Sequence, residues 1–579
     1  MKLSLALAAS VATLSASTIA APQKPSSSSA QKCKEFKLEK FQVGDKSGQD
    51  VELFQQTWVP ANTFLNLTSG SGSLLSSSMP AFCRLQLTIH TNRDTGNYAN
   101  MEVWLPENKA WNGRVLGVGQ GGMSGGIQFG AIGPDGLARG FSAFSTDTGH
   151  NSTSVQGRWA YNNPEALIDS GYRAIHFAAV AAKSITAKYF GKKADYSYFI
   201  GCSNAGRQGL VEAQRFPDDF DGILAGAPAS PLSRMLPWEL RQNLLFKPVG
   251  SPQWISKELW KSIHDEVLKQ CDELDGVKDG VVTDPFLCQF RPESMACTAK
   301  SDKSKCLNTA QIDALHLAYS DYRLESVGGD QWIWSGMNWG GELLAPTGLF
   351  GELPFLPTIE YFRYWYLNNT EFNYETDFSS DLIPGSIKTN PGQSDADNVD
   401  MTAYAKSGGK LLVYHGLEDQ IFSAGNSIHY HAKVDAFNQQ QGVNTDDFYK
   451  LMLVPGNAHC RAGEGIHAFG GHSQRNTGFF PSKDDEKHDA LRLLMAWTEK
   501  GKKPTELIGT RYNNATNGSG GVKYERKLCM VSIATEYPAL LVKTLRPFLL
   551  QYPAKAIYVG GDKSKASSFK CQTTFTVSK

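Results

Sequence analysis

Tyr196-Ser197-Tyr198-Phe199-Ile200-Gly201-Cys202-Ser203-Asn204-Ala205-Gly206-Arg207-Gln208-Gly209 passes from aromatic and β-branched residues into a cluster of small ones around one serine. A strand runs into a tight turn, and Leu210-Val211-Glu212-Ala213-Gln214-Arg215 reads as the helix that follows. A serine at such a turn stands out at the sheet end on a strained backbone, and only small neighbours let strand and helix approach closely. Here they are Gly201, Ala205 and Gly206. The usual pattern puts glycine two places after the serine; this chain has Ala205 there and glycine one place later. Taken alone, the stretch also admits a glycine-rich strand-to-helix turn with no chemistry.

Strand and helix alternate on both sides of it. Phe82 to Thr91 alternates polar and apolar, and Ala99 to Leu105 repeats the pattern after a turn-like Asn-Arg-Asp-Thr-Gly. Val115 to Val118 runs into Gly119-Gln120-Gly121-Gly122-Met123-Ser124-Gly125-Gly126, a loop able to expose several backbone N–H groups at one point. Phosphate cradles and oxyanion holes both use that device, and the lack of a Gly-Lys-Ser/Thr ending argues against a P-loop. Phe141 to His150 reads as strand and turn, Asn163 to Tyr189 as a helix, and Phe220 to Ala229 as a buried strand leaving at Pro228. This order predicts an α/β fold with a parallel, helix-flanked sheet. The rhythm breaks near Ser230 and resumes at Gly409 to Gly416, followed by a helix around Ser427 to Ala436, a strand from Phe448 to Val454 and a helix from Asp489 to Glu499. Residues 231–400, rich in aromatics and holding four cysteines, are read as an inserted cap; 21–230 and 401–579 form the main domain.

At 579 residues the chain exceeds one ordinary core, as such an insertion requires. The 57 basic and 57 acidic residues cancel, so no general field for nucleic acid or an anionic membrane is present. Residues 1–20 carry one positive charge, a short apolar region and a small-residue cleavage site near Ala20 or Ala21, the pattern of a secretory signal peptide. No later stretch is apolar enough to span a bilayer. The expectation is a secreted protein whose first mature residues, a Pro/Ser-rich tail at Pro25 to Ser29, are disordered. In an oxidising compartment ten cysteines argue for disulfides over zinc. Local spacing suggests Cys33 with Cys83, Cys271 with Cys288, Cys297 with Cys306 and Cys529 with Cys571, leaving Cys202 and Cys460. Glycosylation sequons stand at Asn66, Asn151, Asn368, Asn514 and Asn517.

An elbow serine is a weak nucleophile until a base takes its proton, and the base needs an orienting acid. The two returning strands supply both in the order serine, acid, histidine. Leu411 to His415 ends in Gly416-Leu417-Glu418-Asp419, and Leu451 to Val454 ends in Pro455-Gly456-Asn457-Ala458-His459-Cys460. Asp419, farther beyond its strand than Glu418, is the better acid, and His459 is the base by position. If Ser203 and His459 touch, Cys202 and Cys460 come within bonding reach; the alternative is a free thiol at either position. A second dense motif, Cys271-Asp272-Glu273-Leu274-Asp275-Gly276-Val277-Lys278-Asp279-Gly280-Val281, offers several hard oxygens in a tight loop. It suits calcium rather than zinc, lacks EF-hand spacing, and as a plain alternative is an acidic surface turn.

Gly201-Cys202-Ser203 with His459-Cys460 resembles the paired Cys-Ser and His-Cys signature of the fungal tannase and feruloyl esterase family. Arg207-Gln208-Gly209, the strand Phe220 to Pro228 and Tyr414-His415-Gly416 extend the resemblance over nearly all of the chain after residue 20. It implies an α/β-hydrolase core under a lid, with Ser203 as nucleophile, His459 as base, Asp419 as acid and a Cys202–Cys460 disulfide. It implies oxyanion donors at the backbone N–H of Asn204 and at Gly121 or Gly122. It further implies a structural Ca2+ in the lid, held by the side chains of Asp272, Asp275 and Asp279 and the carbonyls of Val277 and Val281. The implied function is a secreted serine carboxylesterase that hydrolyses feruloyl and other hydroxycinnamoyl esters of plant cell-wall polysaccharides such as xylan, through an acyl-enzyme. A tannase cleaving galloyl esters is the alternative, and a non-catalytic carbohydrate-binding protein a third. The wording Val118-Gly119-Gln120-Gly121-Gly122 and Tyr414-His415-Gly416-Leu417-Glu418-Asp419-Gln420 looks more like the feruloyl esterases. Among the lid aromatics Trp332, Trp334, Trp339, Tyr361, Phe362, Tyr364 and Trp365 some are expected to bind the aromatic acyl group.

Overall fold

Ten strands form the main sheet of the computed structural model, which describes residues 27–326, 329–531 and 555–572. The leader read at residues 1–20 lies outside the described residues. In chain order the strands are β1 (Phe41–Gln42), β2 (Asp50–Val59), β3 (Phe82–Asn92), β4 (Asn97–Pro106), β5 (Arg114–Val118), β6 (Ser142–Thr146), β7 (Tyr196–Cys202), β8 (Gly222–Gly226), β9 (Lys410–Gly416) and β10 (Tyr449–Val454). Their spatial order is β1-β2-β3-β4-β6-β5-β7-β8-β9-β10. The first four, with β6, pair antiparallel; β6, β5 and β7 to β10 run parallel.

Burial follows from that division. β3 alternates buried and half-buried residues, as a strand with one wetter face should, whereas β8 and β10 are buried throughout because helices cover both faces. Adjacent residues of a strand point to opposite faces. Val115, Phe199, Ile223 and Val413 therefore pack on one side with Ile175 and Ile185 of the helix Ala174–Phe190. Leu116, Ile200, Leu224 and Leu412 pack on the other with Leu491 and Leu494 of the helix Ala490–Lys500.

Between β8 and β9 the chain leaves the sheet. The inserted residues fold as helices Leu232–Leu245, Lys257–Cys271 and Thr309–Tyr319, a hairpin of Tyr322–Ser326 with Gly329–Trp334, and shorter turns, around fully buried Trp238, Trp260 and Trp334. Thr309–Tyr319 starts at a capping box in which Asn308 and Gln311 exchange side-chain and backbone hydrogen bonds, which satisfies two donors of the first turn.

One expectation is corrected, over the part of the Pro25 to Ser29 tail that lies within the described residues. Ser27–Glu35 is a helix, not a disordered tail: Cys33 is buried in a disulfide to Cys83 and Phe36 packs edge-on against Tyr189. The helix expected from Asn163 to Tyr189 is present: Pro164–Ile168, a wider π turn at Asp169–Arg173 and Ala174–Phe190 follow one another without a gap, and Asn163 caps the start. At the π turn a side chain on Gly171 would run into the carbonyl oxygen of Gly392, 2.1 Å away.

Candidate active site

Ser203 follows β7 directly with φ 65° and ψ −127°, a left-handed conformation that a serine adopts only when its surroundings enforce it. Its backbone N–H donates to Gly226 O (3.0 Å), and its carbonyl accepts from Arg207 (3.0 Å) and Ala229 (3.1 Å), so the turn is clamped by the helix after it and the strand beside it. Gly206 lies so close to β8 that a Cβ would stand 2.3 Å from Gly226 O. Ala205 fits because Gly119 and Gly201 have no side chains: a Cβ on either would fall within 3 Å of its methyl.

The glycine loop after β5 is held against the same helix. Gln120 N–H donates to Gln208 Oε1 (3.1 Å), Gln208 Nε2 donates back to Gln120 Oε1 (3.3 Å), and Gln120 Nε2 also reaches Ser145 Oγ (3.3 Å) and the carbonyl of Thr146. Among the described residues the N–H groups of Gly121 and Gly122 have no protein acceptor. Asn204 N–H is a first-turn donor of its helix, without an intrahelical partner. The Asn204 side chain accepts from Arg207 Nε (2.6 Å), and the buried Arg207 guanidinium also donates to the carbonyls of Ser170, Gly171 and Ser394.

Asp419 and His459 follow β9 and β10. His459 Nδ1 lies 2.7 Å from Asp419 Oδ2. Asp419 Oδ1 accepts the N–H groups of Ile421 (2.9 Å) and Phe422 (3.1 Å), and a second, fully buried histidine, His415, sits 3.3 Å from Oδ2 with its Nδ1 on Ser427 Oγ. Burial pushes the Asp419 carboxyl up, but the His459 charge and the hydrogen bonds from His415 and His459 outweigh it and hold the group well below the carboxylate range. Glu418 turns elsewhere: Oε2 accepts Glu464 N–H, and burial pushes its carboxyl up to about 8.

Ser203 and His459 line one cavity of about 710 Å³, together with Gly121, Gly122, Asn204 and the residues of the Cys202–Cys460 disulfide. That disulfide joins residues 258 apart in sequence and ties the serine turn to the histidine loop. The other cysteines pair as Cys33–Cys83, Cys271–Cys288, Cys297–Cys306 and Cys529–Cys571. The insertion contributes Leu232, Met235, Leu236, Glu239, Phe355 and Trp365 to the cavity wall. Of the seven aromatics singled out in the sequence only Trp365 lines it; Trp334 packs on Trp238, Trp339 on Tyr319, and Phe362 on Phe372. Phe355 and Phe422 were not legible as wall residues, since neither stands in an aromatic cluster or a motif.

In the acidic loop Asp272 accepts the N–H groups of Asp279 and Gly280, and Asp275 accepts Val277 N–H and Thr283 O–H. Asp279 pairs with Arg526 through Oδ2 (2.8 Å), while its buried Oδ1 has no partner among the described residues. Burial pushes the carboxyls of Asp275 and Asp279 up. Asp272, Asp275 and Asp279 are spread wider than Asp50–Glu52–His90 and His176–Glu212–Asp219, the groups whose ligand atoms all lie within 4.8 Å of one another. Of the five sequon asparagines, Asn66, Asn151, Asn368 and Asn517 are exposed and Asn514 is partly buried.

The family model described as tannase and feruloyl esterase matches residues 83–350 and 361–572. The chain belongs to the tannase and feruloyl esterase family. A probable feruloyl esterase B-2 of Aspergillus terreus is 33% identical over 476 residues, 82% of this chain and 87% of that protein. The crystal structure of feruloyl esterase B from Aspergillus oryzae superposes with TM-score 0.81 at 29% identity, covering 94% of this chain and all of that one. A tannin acyl hydrolase from Aspergillus niger shares the fold at TM-score 0.67 and 20% identity, over 92% of this chain and 93% of its own. The sheet and its elbow are those of an α/β-hydrolase, and the protein is a carboxylic-ester hydrolase of this family. Among the described residues no helix is long and apolar enough to cross a membrane.

Proposed function

We propose that the protein is a secreted serine esterase that releases ferulic and related hydroxycinnamic acids from their esters on plant cell-wall polysaccharide. One observation carries this reading: a strained serine and an Asp419-bound histidine share one largely apolar cavity and are stapled together by Cys202–Cys460. Ser203 Oγ attacks the ester carbonyl while His459 takes its proton and passes it to the leaving alcohol; water then attacks the acyl-enzyme by the same route. Asp419 fixes the imidazole so that Nδ1–H points at the carboxylate and Nε2 is free for the serine. The N–H of Asn204 and that of Gly121 or Gly122 receive the negative charge on the carbonyl oxygen, a term worth about 10²–10³ in rate per donor.

Residues 231–400 act as the lid over this site. Its leucines, Met235, Phe355 and Trp365 suit a flat ring joined to the ester by a vinyl spacer. Feruloyl rather than galloyl preference is supported by the 33%-identical relative named as a feruloyl esterase. Five disulfides and five sequons, four of them exposed and the fifth, at Asn514, partly buried, are in keeping with secretion and glycosylation at Asn66, Asn151, Asn368, Asn514 and Asn517. Turnover of methyl ferulate tests the reading; a protein that cleaves simple activated esters but not methyl ferulate refutes it.

The donor chemistry of the loop closed by Cys271–Cys288 suits Ca2+, because Asp279 has an orphaned buried oxygen beside its pair with Arg526 and Asp272 and Asp275 are two further buried hard ligands, although the three carboxylates stand wider apart here than the shell of one ion and would have to draw together around it. Asp272, Asp275 and Asp279 with the carbonyls of Val277 and Val281 would hold it, and it would supply charge compensation to the lid rather than chemistry. Chelation with EGTA is expected to lower the melting temperature by several degrees, with recovery on adding calcium, since an ion bound only by the folded state stabilises it by mass action. An identical melting curve with and without calcium contradicts the site.

A further inference from the structure

Glu239 stands on the cavity wall but serves neither the triad nor the oxyanion site. It lies on the helix Leu232–Leu245, 0% exposed, and neither of its carboxylate oxygens has a hydrogen-bond partner among the described residues. Leu232, Met235, Leu236 and Glu239 recur at the spacing of one helix face, and all four line the cavity that holds Ser203 and His459. An apolar stripe thus ends in a carboxyl. A buried carboxyl left unsatisfied is destabilising. Burial first, and the nearby Asp419 charge second, push the group well above the ordinary range and favour the neutral acid, which carries one O–H donor and one carbonyl acceptor.

We propose that Glu239 is a specificity-determining residue that hydrogen bonds a hydroxyl on the aromatic ring of the acyl group, so that the cavity selects ring-hydroxylated acyl esters over their deoxy analogues. The inference rests on the hydroxycinnamoyl reading above and deepens it. A ring hydroxyl both donates and accepts, so it can satisfy both functions of a neutral carboxyl. An unsubstituted ring leaves them stranded, and a site built to bond a substrate hydroxyl rejects the analogue lacking it far more strongly than an apolar pocket would.

The test is the ratio of kcat/KM for methyl 4-hydroxycinnamate to that for methyl cinnamate, in the full-length protein and in Glu239→Leu and Glu239→Gln. The intrinsic reactivities of the two esters cancel when the ratio is compared between variants. Glu239→Leu is expected to lower the ratio by about tenfold to a hundredfold, and Glu239→Gln, which keeps a donor and an acceptor, to retain most of it. The free Leu variant should melt higher than wild type, because an unpaired buried carboxyl has gone. An unchanged ratio in Glu239→Leu overturns the inference, and so does a Leu variant that melts lower or fails to fold, since the carboxyl then serves the fold. A wild-type protein that cleaves both cinnamate esters with a ratio untouched by either substitution refutes the role of Glu239 alone. One that cleaves p-nitrophenyl acetate but neither cinnamate ester refutes the hydroxycinnamoyl reading and this inference with it.

Discussion

Ser203→Ala is expected to lower kcat on methyl ferulate by about 10⁴- to 10⁶-fold, because it removes the oxygen proposed to form the acyl-enzyme. Stability should hardly move. Every hydrogen bond that defines the turn runs through the Ser203 backbone, its N–H to Gly226 and its carbonyl from Arg207 and Ala229. Alanine occupies φ 65° at a cost similar to serine's, and Ala205 beside it shows that a methyl group is tolerated where Gly119 and Gly201 make room. Parallel measurement of kcat and the melting temperature checks this. Activity near wild type would remove Ser203 from the chemistry, and a collapse in melting temperature would make any loss of activity uninterpretable as a loss of the nucleophile.

Asp419→Asn is expected to lower kcat by about 10⁴-fold with a much smaller change in KM. The carboxylate accepts from two backbone N–H groups on Oδ1 and faces His459 and His415 on Oδ2. An amide cannot do both. With its oxygen toward Ile421 and Phe422 it turns an NH₂ donor to His459 Nδ1, which forces the proton onto Nε2 and leaves Ser203 without a base. With its NH₂ toward the backbone, donors face donors. The same substitution changes the pH dependence of stability. A carboxyl held below its unfolded pKa of about 3.9 stabilises the fold at pH values above that figure, and the contribution is lost as the pH falls toward the folded pKa. Wild-type stability should therefore fall more steeply on acidification than that of Asp419→Asn, measured by denaturation midpoints between about pH 6 and pH 3. Equal slopes would show that Asp419 is not the depressed group.

The parts of the site that could be read from sequence are those set by local pattern. A strand that ends in small residues about a serine, and two later strands that end in Asp419 and His459, leave periodicity and turn signals within a few residues of the chemistry. Cys202 and Cys460 were legible because they adjoin those residues. What escaped depends on contacts between distant segments. Gln120 and Gln208 are ordinary polar residues until β5 and the elbow helix bring them together. His415 reads as an interior strand residue, and only the turn after β9 folds Asp419 back against it. Glu239 lies in a helix whose apolar stripe predicts burial against a core, and nothing in Trp238-Glu239-Leu240 tells that the stripe faces the site. The aromatic run Tyr361 to Trp365 forms a π turn whose rings are all buried, Phe362 against Phe372 and Tyr364 and Trp365 against Tyr161 and Trp159, so aromatic density marked packing more than binding.

The central claim is that this hydrolase acts on hydroxycinnamoyl esters. Initial rates on methyl ferulate and methyl gallate, measured side by side with the wild-type protein and with Ser203→Ala as blank, test it most directly. The expected result is a higher kcat/KM on methyl ferulate, abolished in the variant. Faster hydrolysis of methyl gallate, or hydrolysis of neither ester, would contradict it.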